Sequence, residues 1–119
     1  MNVPHNANDV ARTLGELSKQ LDEVTQQLNA ADTDSVNKQE DAKLAEAQAF
    51  LTATGSMDIR KRTAIVETHE VRLAAETADC IVRGLQRSVR TLQSRIDVGR
   101  SLGAAVRAET QLAGFGGGA

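Results

Sequence analysis

Aromatic side chains are nearly missing: Phe50 and Phe115 stand alone, with no Trp and no Tyr in 119 residues. A globular core built on aromatics is excluded, and so is a stacking platform for nucleotide bases. Proline occurs once, at Pro4, and four of the nine glycines fall within residues 114–118. The interior therefore holds few helix breakers and few hairpin signals. One cysteine, Cys80, excludes an internal disulfide and leaves a cysteine metal cluster without members. No run approaches the roughly 20 apolar residues of a membrane span, and the N-terminus lacks the basic-then-apolar order of a signal peptide. The expectation is a chain without a membrane role, working in the cytoplasm.

What is present is Ala, Leu and Val among many charges, which suits helix seams. The predicted class is all-α. Formal charge is −2, unevenly spread. Residues 1–58 carry 4 basic and 10 acidic side chains, residues 59–107 carry 10 basic and 5 acidic, giving −6 and +5. Asymmetry of this kind marks either a polyanion-binding segment or two segments that attract each other, within a chain or between chains.

Residues 1–8 are polar and expected to fray, with Asn8 or Asp9 as the cap of the first helix. Val10, Leu14, Leu17, Leu21, Val24 and Leu28 then recur at spacings of 4, 3, 4, 3 and 4. This is a heptad seam, predicting an N-terminal helix within residues 1–30 that packs on its own chain or on another copy. Residues 30–41, AADTDSVNKQED, carry capping residues and no apolar period, which predicts a linker over 31–35. A second, Ala-rich helix is expected over about 36–53, with Leu44, Ala47 and Leu51 along one side and Phe50 adjacent. Gly55 takes the position just past its end.

In GSMDIRKRTA, residues 55–64, three cations stand close to a helix start, where partial positive charge favours acids. Ser56 as N-cap and Asp58 in the first turn ease that conflict. One long helix is predicted from Asp58 to about Leu112, with a seam through Ala78, Ile81, Leu85, Val89, Leu92, Ile96, Gly99, Gly103 and Val106. At ~1.5 Å rise per residue, some 50 residues stretch about 80 Å. Such a helix either bends near Gly84 or Gly99 or is covered by other copies. Gly99 and Gly103 mark a close helix crossing or a hinge. Residues 113–119 are expected to form a flexible tail. The sum is an elongated, oligomeric helical hairpin or coiled coil: two shorter N-terminal helices, then a hairpin over 36–112 with one long C-terminal helix. The seams Val10, Leu14, Leu17, Leu21, Val24 and Leu28, with Leu85, Val89, Leu92 and Ile96, are its candidate oligomer interface.

Enzymatic signatures are missing from the sequence: there is no phosphate-binding glycine loop, no nucleophile elbow and no paired cysteines. His5 and His69 are far apart in sequence and His69 has no second ligand at helical spacing, so no metal is expected; neither is a cofactor nor a small-molecule substrate. Cys80 lies beside Ile81 and is expected to pack.

The cations differ in their local partners. Asp58 precedes Lys61 by three and Arg62 by four, Asp79 precedes Arg83 by four, and Asp97 precedes Arg100 by three. Arg60, Arg87, Arg90, Arg95 and Arg107 have no acid at those offsets, and Arg83, Arg87 and Arg90 form one stripe. A phosphate backbone or an acidic helix could offset it. The candidate nucleic-acid residues are Arg60, Lys61, Arg62, Arg83, Arg87, Arg90 and Arg95.

The segment LQRSVRTLQSRIDVGRSLGAAVRAETQLAG resembles the C-terminal part of UvsY-type recombination mediators of tailed phages. What matches is Ser94 with Arg95 after an apolar helical turn, Arg107 with Ala108 about a dozen residues on, and a terminal Gly, within about residues 42–114. The resemblance implies a non-enzymatic ring-like or barrel-like homo-oligomer that binds single-stranded DNA. Its partners would be a recombinase or a single-strand-binding protein, inside a bacterial host, and Arg60, Lys61 and Arg62 would be the corresponding basic stretch. This chain departs from the family in being acidic overall, in its scarcity of aromatics and in its opening heptad helix. The alternative is a helical assembly or adaptor protein with no nucleic-acid role.

Overall fold

The computed structural model describes residues 6–117. They form an all-α helical hairpin of α1 (Ala7–Thr52), α2 (Met57–Glu67) and α3 (His69–Gly117). Among the described residues there is no strand, and no helix is long and apolar enough to cross a membrane.

The first helix starts earlier than expected. Asn6 Oδ1 accepts from the Asp9 backbone N–H at 2.9 Å, so Asn6 is the cap rather than Asn8 or Asp9. Residues 1–5, including Pro4 and His5, lie outside the described residues.

The linker over 31–35 does not exist, and neither do two separate N-terminal helices: α1 is one helix of 46 residues. The heptad continues through Ala31, Ser35, Lys38, Ala42, Ala45 and Ala49 at the same alternation of 3 and 4, each buried or half-buried. Small and polar side chains carry it, which conceals it from an apolar count. Their polar groups are met within the helix: Ser35 Oγ accepts from Gln39 Nε2 at 3.1 Å, and Lys38 pairs with Asp34 at 2.9 Å.

The turn between α1 and α2 matches its sequence signals. Gly55 has φ +107°, a conformation side chains disfavour, and Ser56 Oγ accepts from the Ile59 N–H at 3.3 Å as N-cap of α2. Asp58 supplies the acid of the first turn.

The long helix expected from Asp58 is interrupted, and not at a glycine. It breaks at buried Thr68, whose hydroxyl donates to the Ala64 carbonyl at 2.6 Å. Arg72 reaches back across the break: its Nε donates to Thr68 Oγ1 at 3.2 Å and its Nη2 to the Ile65 carbonyl at 2.7 Å. The Ile65 carbonyl, left open by the break, thus regains a donor. Beyond it α3 runs through Gly84 and Gly99 without interruption and takes in 113–117 of the expected flexible tail; 118–119 lie outside the described residues.

The chain divides into two units. In the first, residues 6–25 and 87–117, the α1 seam faces the α3 seam of the same chain. A Cβ on Gly99 would stand 2.7 Å from Leu14 Cδ2, and one on Gly103 would stand 3.1 Å from Val10 Cγ1. Pairing 14 with 99 and 10 with 103 fixes an antiparallel register. The close approach is made by side chains, not by a second backbone, and glycine leaves the room. Val10, Leu92 and Ile96 are buried there; Leu14, Leu17, Leu21, Val24 and Val89 are half-buried.

The second unit, residues 26–86, is built on smaller side chains. Its interior is Ser35, Ala42, Ala64, Thr68, Ala75, Ala78 and Val82, with Leu28 and Leu85 half-buried. Such residues let helix axes come close but bury little area each. The seam passes through Val82 rather than Ile81, which is exposed. Spacings of 3 and 4 are equally helical, and only the continuous 71, 75, 78, 82, 85 series keeps one face inward.

Candidate nucleic-acid interface

The structure separates the seven candidate cations into four groups. Arg60 is already committed: Nε and Nη2 donate to the Phe50 carbonyl at 3.3 and 3.2 Å, and the guanidinium lies over the Phe50 ring, 4.5 Å from its centroid. A cation near the start of α2 is thereby explained by the end of α1, whose terminal carbonyls and dipole favour positive charge. It is no free phosphate contact, which corrects the grouping of Arg60 with its neighbours.

Lys61 and Arg62 are exposed and, among the described residues, form no ion pair; Asp58 engages neither, although the spacing allowed it. Arg83 pairs with Asp79, as the spacing predicts, and its Nη2 also meets Cys80 Sγ at 3.1 Å. Arg100 lies 3.9 Å from Asp97.

Arg87, Arg90 and Arg95 remain. All three are exposed on α3 in the first unit and have no ionic or hydrogen-bond partner among the described residues. With Thr91 and Ser94 they line one shallow groove. The seam on this stretch is Leu85, Val89, Leu92 and Ile96, so Arg87 and Arg90 fall on the face turned away from α1. Three guanidinium groups with two hydroxyls between them can meet successive anionic oxygens by charge and by hydrogen bonds. Thr91 and Ser94 were missed by a search for cations. Their signal was present: each stands four residues beyond an unpartnered arginine, Arg87 or Arg90.

Opposite charge on the two long helices is not consumed within the chain. Every ion pair among the described residues joins side chains three or four apart on one helix. Of the other candidates, Cys80 is exposed rather than packed, and His69 is exposed.

The residues assigned to an interface between copies are used first within one chain. Val10 and Leu14 meet α3 at Gly103 and Gly99, and Leu92 and Ile96 are buried without any second copy.

Searches against protein-family models, curated proteins and solved structures found no match to this chain.

Proposed function

We propose that this chain is a non-enzymatic accessory of DNA recombination or replication that binds the backbone of single-stranded DNA through the outward face of α3, as a homo-oligomer. Arg87, Arg90 and Arg95, gathered in one groove with no acid to neutralise them, carry this reading. Same-sign neighbours on a helix are mildly destabilising, so a stripe kept unpaired is best accounted for by an external anion. Phosphate is the anion such a stripe fits, because backbone contacts need cations along a path and no base readout. Scarce aromatics fit a binder that leaves bases unstacked. The recombination role, a recombinase or single-strand-binding protein as partner, and a place in the cytoplasm of a bacterial host rest on the resemblance to UvsY-type mediators.

The test is titration of a fluorescent single-stranded oligonucleotide at low and moderate salt, with Arg87→Ala/Arg90→Ala/Arg95→Ala beside the parent chain. Binding at low salt that the triple variant weakens at least tenfold supports the proposal. No binding at low salt, or equal binding by the variant, rejects it. The second reading, an assembly or adaptor protein without a nucleic-acid role, draws on the apolar side chains exposed in the second unit and is the one left standing by that negative result.

A further inference from the structure

Nine of the eleven large apolar side chains exposed among the described residues belong to the second unit: Leu44, Leu51, Ile65, Leu73 and Ile81 are five of them, at 47–73% exposure. Scattered apolar residues are normal on a surface; of these nine, Ile65 lines a groove.

Part of this surface has a defined form. Between α1 and α2 runs a groove floored by Ala47, Phe50 and Ala64, with Ile65 on its α2 edge. Its rim carries both signs: Glu46 on α1 and Lys61 on α2. Neither makes an ion pair among the described residues, whereas the third charged rim residue, Lys43, is held by Glu40 at 3.3 Å. Arg60 keeps the floor in place through its two hydrogen bonds and ring contact at Phe50. One surface with an apolar floor, an apolar ridge and one free charge of each sign is complementary to itself under a two-fold rotation.

We propose that the groove between α1 and α2 is occupied by the same groove of a second copy of this chain. Ile65 of each copy covers Ala47 and Phe50 of the other, and Lys61 of each meets the other's Glu46. A closed, isologous contact of this kind puts each residue type on both sides of the interface. It also gives Lys61 a role separate from DNA. The proposal rests on the functional reading above only for the existence of a homo-oligomer; it needs neither DNA nor Arg87, Arg90 and Arg95.

Light scattering coupled to size exclusion, on the full chain at tens of micromolar and without DNA, tests it. The parent chain is expected at twice 12.7 kDa or a higher multiple. Ile65→Glu should reduce the mass with helical circular dichroism unchanged. Lys61→Glu, an exposed change that leaves the fold alone, should raise the dissociation constant at least tenfold, and Glu46→Lys/Lys61→Glu should bring it back to within about threefold. A parent chain at 12.7 kDa overturns the proposal and leaves the groove to a partner of another sequence. An oligomer whose mass and dissociation constant ignore both Ile65→Glu and Lys61→Glu overturns it too, since the copies then join elsewhere. Because DNA is absent throughout, neither outcome bears on the arginine groove.

Discussion

A glycine inside a helix costs about 1 kcal/mol against alanine, and the atoms opposite the missing Cβ decide whether that cost is recoverable. Gly15 has nothing within 4 Å of that position, whereas a Cβ on Gly99 would meet Leu14 Cδ2 at 2.7 Å. Gly15→Ala should therefore stabilise the fold by about 1 kcal/mol. Gly99→Ala gains the same backbone term but displaces a seam leucine, and crowding a packed seam costs on the order of 1 kcal/mol or more. Urea unfolding of the two variants separates the effects. Equal gains at both sites would mean that Leu14 turns its Cδ2 aside without cost. Arg60 shows the same dependence on an unseen neighbour. Its own helix offers it no acid three or four residues away, and its partner is a carbonyl ten residues back, across a turn.

At the scale of elements, the seam of α1 is uniform in spacing and uneven in chemistry. Ser35 and Lys38 occupy positions that Leu takes at 14, 17 and 21. Lys38→Leu should place apolar area on a half-buried seam position, worth about 1 kcal/mol. The loss is a largely exposed Asp34 pair worth about 0.3–0.5 kcal/mol. A net stabilisation of roughly 0.5 kcal/mol, read as a higher urea midpoint, is the expected result. A destabilised variant would show that Lys38 does not belong to the seam. The all-α class, the Leu and Val half of the α1 seam, and the turn at Gly55 and Ser56 were legible because each rests on a local signal. Residues 31–35 were not, since capping residue types recur inside helices whenever tertiary contact holds the backbone. Ile81 against Val82 was undecidable from spacing, as both continue a helical series. The break at Thr68 carries no glycine or proline to announce it. Of the site, charge offsets pointed to Arg87, Arg90 and Arg95 but misjudged Arg60, Lys61 and Arg62, because Arg60 turns to the Phe50 carbonyl and Asp58 engages neither neighbour; the hydroxyls beside the three arginines needed the helix face.

For the molecule as a whole, a formal charge of −2 works against an anionic ligand, so any DNA binding must come from a local field. Local fields are read by salt. Each phosphate neutralised on a single strand contributes a slope of about −0.7 to log K against log salt, so three arginines per chain give roughly −2 and two joined copies roughly −4. The triple alanine variant should lose about 2 from the slope per engaged chain as well as affinity. Lys61→Glu, on a different unit, should act through copy number instead. Where it leaves only single chains its slope should fall toward about −2, and at protein concentrations high enough to restore pairing the parent slope should return. Fluorescence titrations over roughly 25 to 200 mM salt, a range in which phosphate-directed binding changes strongly, measure both. A parent slope near zero would assign whatever binding is seen to uncharged contacts, and a slope untouched by Arg87→Ala/Arg90→Ala/Arg95→Ala would move the phosphate path off α3.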